Sequence, residues 1–149
     1  MNGDNICVIR RDVSTKAAHV GVEAAVVHGL KLSAPVAAAV VDRSGRLTAF
    51  LRSADAFLRS TDIAIDKAST AAGFRMESGA LYAMVKDNDA VLEGLRSLSG
   101  VALFGGGVPI IFEDEIIGGI GVSGGSEEQD IDCAKAGIAA IQVLAADEA

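Results

Sequence analysis

The sequence predicts an α+β domain in which an antiparallel β-sheet of about five strands is flanked by helices. Three observations predict it: two pairs of strand-like segments joined by short turns, helical periodicity around those pairs, and a length of 149 residues, half of them hydrophobic. Hairpins separated by helices favour one antiparallel sheet over a doubly wound parallel sheet. We expect a single domain over residues 1–149, in the order helix, hairpin, helices, hairpin, helix.

The first helix is predicted over residues 13–28. Apolar residues recur there at alternating steps of four and three, which places them on one stripe of a helix. The members of this stripe are Val13, Ala17, Val20, Ala24 and Val27. Asp12 is expected to cap the start of the helix, and Gly29 is expected to end it.

The first hairpin is predicted from strands at 36–42 and 47–52, joined by a turn that contains Gly45. The first of these strands is apolar almost throughout. A strand that is apolar on both faces has to be covered on both faces. We therefore expect helices on each side of the sheet.

The middle of the chain is predicted to be helical, with a helix at 61–76 and shorter helices at 80–86 and 89–98. A second hairpin follows, with strands at 108–113 and 116–123. The last helix has the clearest start signal, because a serine followed three residues later by a glutamine is a capping box. Ser126 and Gln129 form this capping box. The apolar residues that repeat at steps of three and four after it are Ile131, Ala134, Ile138, Ile141 and Ala145.

Glycines are concentrated in the last third of the chain, at 105–107 and within 117–125. Glycine inside an apolar segment marks a sharp bend or the close approach of a ligand or another helix. Residues 119–124 also spell G-x-G-x-x-G, the fingerprint of a dinucleotide site. That fingerprint requires a second parallel strand after its helix, whereas here the helix is predicted to run to the end of the sequence. We interpret the match as a coincidence.

Composition excludes several classes of partner. The formal net charge of −7 and the sequence pI near 4.7 oppose binding to nucleic acid or to an anionic membrane. Cys7 and Cys133 lack the spacing of metal ligands, so we interpret them as ordinary thiols in a reducing compartment and predict no metal site. No signal peptide and no apolar run of membrane-spanning length is evident, and we expect a cytoplasmic protein.

The second predicted helix carries the first candidate for chemistry. Helical spacing places Asp62, Asp66 and Thr70 on one stripe, with Lys67 and Arg75 on an adjacent one. Lys67 or Arg75 could face the negative charge of a ligand, and Asp66 could transfer a proton. The alternative is that Asp62 stabilises the helix start and the other charges form a solvated face.

The second candidate is the triple glycine. Gly105, Gly106 and Gly107 can present consecutive backbone N–H groups to an anion, and the start of the last helix adds donors beside Gln129 and Asp130. If this loop and the second helix converge, they form an oxyanion-type pocket with an acid–base group beside it. The alternative is that the glycines only turn the chain before the next proline.

Two histidines complete the set of candidate ligands. His19 lies one position off the apolar stripe of the first helix, and His28 lies near the end of that helix, where the helix dipole favours a cation. Neither has an evident cysteine, methionine or acidic partner in the sequence. A capping or surface role is therefore favoured over catalysis or iron ligation.

Four segments in this order resemble the GlcG/HbpS family, which includes GlcG of glycolate operons, the heme-binding HbpS and the C-terminal domain of PduO. The resemblance extends from Val13 over nearly all of the chain. It is carried by Val40-Val41-Asp42 with Gly45, by Asp62 to Ala68, by Gly105 to Pro109, and by Ile117 to Gly125 with Glu128-Gln129-Asp130. It implies a profilin-like sheet between helices and assembly into dimers or larger rings. It also implies ligand binding, with heme or corrinoid bound by some members.

These observations predict an oligomeric small-molecule-binding protein, and as its function a cofactor-independent acid–base enzyme of isomerase, lyase or hydrolase type. The substrate would be a small carbonyl or carboxylate metabolite. Lys67, Asp66 and Arg75 would be catalytic, and the ligand-binding residues would be Asp62, Thr70, Gly105, Gly106, Gly107, Gln129 and Asp130. The alternative function is a heme- or corrinoid-binding carrier or sensor without turnover.

Overall fold

The computed structural model describes residues 6–149, so the start of the chain, on which the expectation about export depends, lies outside it. Within this range the elements are α1 (Thr15–Lys31), β1 (Ala37–Asp42), β2 (Leu47–Arg52), α2 (Ser60–Phe74), α3 (Ser78–Val85), α4 (Asp89–Ser97), β3 (Gly107–Phe112), β4 (Glu115–Ser123) and α5 (Glu127–Asp147). The predicted α+β class and element order are confirmed. The sheet of the described chain has four strands rather than about five.

The strand order in the sheet is β2-β1-β4-β3, and every neighbouring pair is antiparallel. The two predicted hairpins are therefore adjacent, joined along β1 and β4. Ala38 and Val40 of β1 belong to the large core beneath α1 and α5, whereas Ala37, Ala39 and Val41 belong to a smaller core beneath α2. The prediction that this strand is covered on both faces is confirmed.

The glycines of β4 allow α2 to pack unusually close to the sheet. A Cβ added at Gly121 would overlap the carbonyl oxygen of Ala64, and one added at Gly119 would overlap that of Ala68. Side chains at these two positions would push the helix away from the strand. The spacing that resembles a dinucleotide fingerprint is thus explained by helix packing.

The start of α1 differs from the prediction. Ser14 rather than Asp12 caps the helix, because the Ser14 Oγ accepts a 3.1 Å hydrogen bond from the Ala17 N–H. The Asp12 carboxylate instead accepts a 2.8 Å bond from the backbone N–H of Arg43 in the turn between β1 and β2. The helix also continues past Gly29. That glycine is required where the loop after α1 passes over it, because a Cβ there would lie 2.6 Å from a loop carbonyl oxygen.

The capping box of α5 is present as predicted. The Ser126 Oγ accepts a 3.2 Å hydrogen bond from the Gln129 N–H, and the Gln129 Oε1 accepts a 2.9 Å bond from the Ser126 N–H. This reciprocal pair determines where the helix begins. As a consequence, Asp130 lies in the first turn of α5, beside the end of β4.

The short helices α3 and α4 lie at the side of α2 and lead the chain towards the triple glycine. They have their own small core, formed by Leu81, Val85 and Leu92 with Met76, Leu95 and Leu103 packed against it. Among residues 6–149, no helix combines the length and the hydropathy needed to span a membrane.

Candidate functional site: a buried ion pair beneath the glycine loop

Lys67 is the most unusual side chain of the described structure, because it is fully buried. It leaves α2 on the side that faces β4. Its Nζ donates a 2.8 Å hydrogen bond to Asp130 Oδ2 and a 2.9 Å bond to the carbonyl of Val122. The same Nζ lies 4.7 Å from the centroid of the Phe104 ring, a cation–π distance. The ammonium group is therefore held on several sides.

Asp130 connects the lysine to the turn before α5. Its carboxylate is also buried, with 4% of the residue exposed. While Oδ2 accepts from Lys67, Oδ1 accepts a 2.9 Å hydrogen bond from the Gly125 N–H. A negative charge in the first turn is also favoured by the helix dipole. The ion pair thus ties α2 to the junction of β4 and α5.

The electrostatics of this pair are governed by burial. Loss of water lowers the pKa of Lys67, and the Asp130 carboxylate partly opposes that shift by hydrogen bonding and by charge. Burial likewise raises the pKa of Asp130, opposed by Lys67 and by the Gly125 N–H. Each charge therefore stabilises the other, and removal of one partner would leave the other buried without compensation.

Gly106 lies directly over the lysine. Its φ of +123° is in the region that favours glycine, and a Cβ there would lie 2.6 Å from the carbonyl oxygen of Val122 and 2.8 Å from Lys67 Nζ. The Gly106 carbonyl in turn accepts a 2.9 Å hydrogen bond from the Val122 N–H. The predicted convergence of the second helix with the glycine loop is therefore present in the structure.

The loop amides do not form the open anion site that the sequence predicts. The Gly105 N–H donates to Glu127 Oε1 at 3.2 Å, and the Gly107 N–H donates to Ser78 Oγ at 2.9 Å. Ser78 Oγ also donates a 2.6 Å bond to the carbonyl of Phe104. Two of the three amides proposed to hold an oxyanion thus already have acceptors within the protein.

A cavity of about 260 Å³ lies on the outer side of this loop. Its lining does not include Lys67 or Asp130, and its acidic groups are the carboxylates of Glu77 and Glu127. The other lining residues are Gly79, Ala80, Gly105, Gly106, Gly107, Val108 and Ile131. The cavity is therefore bordered by negative rather than positive side chains, which opposes an anionic ligand.

The carboxylates and the threonine of α2 lie away from this cavity. Asp62 is exposed and forms an ion pair with Arg59 at 3.3 Å. Partial burial, together with the nearby Asp62, raises the pKa of Asp66. The Thr70 Oγ1 donates to the Asp66 carbonyl at 2.7 Å and accepts from the Ala102 N–H at 2.9 Å. Thr70 therefore holds the segment before the glycine loop against α2.

Two further candidates are also separate from Lys67. Arg75 follows the last residue of α2 and lines a pocket at one end of the sheet that Lys67 does not reach. Gln129 uses its side-chain oxygen in the capping box. The structure therefore brings together only Lys67, Asp130 and the glycine loop. The ligand-binding roles of the candidate residues stay predictions.

Three residues of this centre were missed by the sequence reasoning: Phe104, Ser78 and Glu127. Phe104 immediately precedes the triple glycine, and an aromatic residue beside a loop predicted to meet a lysine could have indicated a cation–π contact. Ser78 and Glu127 have no comparable signal. Each is joined to the loop by a hydrogen bond between residues more than twenty positions apart, Ser78 to Gly107 and Glu127 to Gly105.

The chemistry open to the buried pair is limited by access. The side chain of Lys67 has no exposed surface, so a ligand on the outside cannot contact its Nζ in this conformation. Among residues 6–149, no group of three or more His, Cys, Asp or Glu side chains is placed to hold a metal ion. The arrangement acts as a polar cross-link between α2, β4 and α5.

The fold and this centre define a class: an antiparallel sheet covered by helices on both faces, with a buried lysine–aspartate pair beneath a glycine loop. The chain belongs to the HbpS-like family, because the family model described as "Haem degrading protein HbpS-like" matches residues 13–139. The family suggested by the sequence motifs is thereby confirmed.

Individual relatives agree with this assignment. The chain is 40% identical over 133 residues to the corrinoid adenosyltransferase PduO of Citrobacter freundii. The aligned region covers 88% of this chain but only 39% of PduO. It is similar to the crystal structure of protein ORFY of Klebsiella pneumoniae, with a TM-score of 0.87, 27% identity, and coverage of 93% of this chain and 96% of that one. It is also similar to PduOC in its heme complex, with a TM-score of 0.79, 36% identity, and coverage of 87% and 94%.

These comparisons correct the predicted function. The leading hypothesis, a cofactor-independent acid–base enzyme, is wrong, because the relatives are named for heme and corrinoid rather than for such chemistry. The alternative of a heme- or corrinoid-binding protein fits them better. The catalytic roles predicted for Lys67, Asp66 and Arg75 depended on that hypothesis, and the comparisons do not test them.

Proposed function

We propose that this protein binds heme as a carrier or sensor without turnover. The observation that carries the proposal is the similarity to PduOC in its heme complex, at 36% identity over 87% of this chain. When bound, the heme supplies the redox and ligand-binding chemistry of its iron. The protein would supply an axial ligand and an apolar surface for the macrocycle.

The imidazoles of α1 are the side chains best suited to ligate the iron. His19 has 71% of its side chain exposed, and His28 is half-buried. The two lie nine positions apart, which corresponds to roughly 180° around a helix, so they point to opposite sides. One heme on one subunit therefore uses one of them.

The surroundings favour His19. Its side of α1 also carries Leu30, three turns further on. This side lies opposite Gly21, where α1 meets α5, so we infer that it faces the edge strand β2, which α1 also contacts. Ala49 of β2 packs against the core beneath α1, so the alternation of the strand places Leu51 on the same face. Leu30 and Leu51 are 57% and 40% exposed. His19 thus stands beside an open apolar surface of the kind that a porphyrin covers.

The other histidine is less suited. His28 lies two helical turns from Gly21, on the side of α1 that faces α5. At Gly21 the two helices are so close that an added Cβ would lie 2.9 Å from the Ile141 side chain. By contrast, His19 Nε2 lies 3.7 Å from the Glu23 carboxylate, a partner that can orient the ring.

A homo-oligomer follows from the same surface. Leu30 and Leu51 cover only one side of a bound macrocycle, so we propose that a second subunit covers the other side. The dimer or larger ring expected for this family would provide that cover. A cytoplasmic location stays a prediction from the sequence.

The test is a titration of the full chain with hemin, followed by the Soret band. We expect His19→Ala to abolish the shifted band and His28→Ala to retain it. His28→Ala is the matched control, because it removes an imidazole from the same helix. Cobalamin serves as a parallel ligand.

Four outcomes would contradict the proposal. A wild-type protein that shows no hemin-dependent band would exclude heme binding. Binding of cobalamin alone would indicate that the ligand is a corrinoid rather than heme. An unchanged band in His19→Ala would exclude that residue as the ligand. Conversion of bound hemin into ring-opened products would show that the protein degrades heme, which contradicts a carrier or sensor without turnover.

A further inference from the structure

Three arginines converge at the end of the sheet where the turns of both hairpins lie. Arg10, Arg43 and Arg75 line a pocket of about 280 Å³ together with Asp114, Glu115 and Ile116. An adjoining pocket of about 120 Å³ is lined by Arg43, Ala72, Gly73, Arg75 and Ile116. In a chain with a net charge of −7, this is a local excess of positive charge, with three guanidinium groups against two carboxylates.

The charge of this pocket is less neutralised than its composition suggests. Arg43 Nη1 donates to Glu115 Oε1 at 2.7 Å and to the Ile116 carbonyl at 3.3 Å, so Glu115 is already occupied. Arg10 and Arg75 form no ion pair with any residue of the described chain, 6–149. Among the carboxylates of the lining, only Asp114 is then left to balance the positive charges of Arg10 and Arg75.

The backbone holds these arginines in defined places. Arg43 is anchored by its bonds to the second hairpin, and only 27% of its side chain is exposed. Arg75 directly follows α2 with a left-handed φ of 58°, which directs the chain out of the helix at that residue. The floor between them is open, because a Cβ added at Gly73 would contact nothing within 4 Å. The dipole of α2 accounts for one cation at its C-terminus, but not for three.

We propose that this arginine pocket binds a small polyanion, a molecule that carries phosphate groups or several carboxylates. The planar guanidinium fork matches the oxygens of phosphate and carboxylate and forms charge-assisted hydrogen bonds with them. A ligand with at least two anionic groups can contact Arg10 and Arg75 at once, with Arg43 between them. Because Arg10 and Arg75 are exposed, binding weakens as the salt concentration rises.

The experiment uses isothermal titration of the full chain with pyrophosphate and with citrate at low ionic strength. We expect Arg75→Gln and Arg10→Gln each to weaken binding by about tenfold, the effect of losing one charge-assisted contact. Arg96→Gln is the matched control, because Arg96 is an exposed arginine of α4 without an ion pair in the described chain. Its affinity should equal that of the wild type.

Several results would overturn this proposal. These are the absence of measurable binding of either probe to the wild type, equal affinities in Arg75→Gln and Arg96→Gln, and binding that does not weaken with salt. Hemin titrations of the same variants separate this pocket from the heme proposal. If Arg75→Gln weakens hemin binding but leaves pyrophosphate and citrate unaffected, the arginines hold heme propionates and the proposal of a free polyanion fails.

Discussion

The Lys67 ammonium group in the middle of α2 donates a 2.8 Å hydrogen bond to the Asp130 carboxylate in the first turn of α5, and both side chains are buried. A buried ion pair is costly to form, because both charges lose their water, but it is more costly to break. In this protein the ion pair acts by holding secondary-structure elements in their relative positions. The pair determines how α2, β4 and α5 meet beneath the glycine loop, and three predictions about this centre follow from its geometry.

Lys67→Met should lower the free energy of unfolding by about 3–5 kcal/mol, because it leaves the Asp130 carboxylate buried without a partner. Urea unfolding followed by circular dichroism measures this change. Lys135→Met, on the exposed side of α5, is the matched control and should change stability by less than about 0.5 kcal/mol.

The double variant Lys67→Met with Asp130→Leu should regain much of this loss, since apolar groups of similar size can replace a buried pair. If Lys67→Met by itself were as stable as the wild type, the pair would have no structural role.

Gly106→Ala should destabilise the protein by about 2–4 kcal/mol. The reason is twofold: a φ of +123° strains any residue with a side chain, and the added Cβ would lie within 2.8 Å of Lys67 Nζ. Gly94→Ala is the comparison, because a Cβ there meets nothing and the residue lies inside α4.

Alanine in a helix is favoured over glycine by about 0.5–1 kcal/mol. The two glycine variants should therefore shift the thermal midpoint in opposite directions. A Gly106→Ala protein as stable as the wild type would show that the loop can move away from the lysine.

Cys133 should make stability depend on pH in alkaline solution. Burial, with smaller effects of Asp130 and Asp132, raises the pKa of the Cys133 thiol from 9.0 to about 11. Between these values the unfolded chain loses the thiol proton while the folded chain keeps it. Stability therefore falls as pH rises from 9 towards 11, and it is unaffected by this group below pH 9.

The free energy of unfolding should fall by about 2–3 kcal/mol across this window, because each unit of pKa difference corresponds to about 1.4 kcal/mol. Urea unfolding of the wild type and of Cys133→Ala between pH 8 and pH 11 isolates the effect of this thiol, because other titrating groups are common to both. Parallel pH profiles of the two proteins would contradict the assignment.

Local chemistry made the element boundaries predictable. Ser126 and Gln129 are three residues apart, so their capping box was visible in the sequence, and the hairpin turn at Gly45 was equally local. Where two neighbouring residues could each cap a helix, the sequence did not show which of them does. Ser14 caps α1 because Asp12 bonds instead to Arg43, a contact across the fold that no spacing reveals.

The burial of Lys67 was not predictable from α2 itself. On the helix its stripe lies beside Asp62 and Asp66, which makes a solvated charged face the natural interpretation. Lys67 is buried because Gly119 and Gly121 let α2 approach β4 so closely that its side chain reaches Asp130. That contact joins residues 63 positions apart.

The sequence by itself determined the α+β class, the two hairpins, the helix starts given by local caps and the resemblance that indicated the family. Only the tertiary structure decided that Lys67 is enclosed and that Arg75 belongs to a different pocket with Arg10 and Arg43. The physical reason is that periodicity reports which face of an element a residue occupies. What lies opposite that face depends on how distant segments pack, and this packing sets the charge, access and hydrogen bonds of a site.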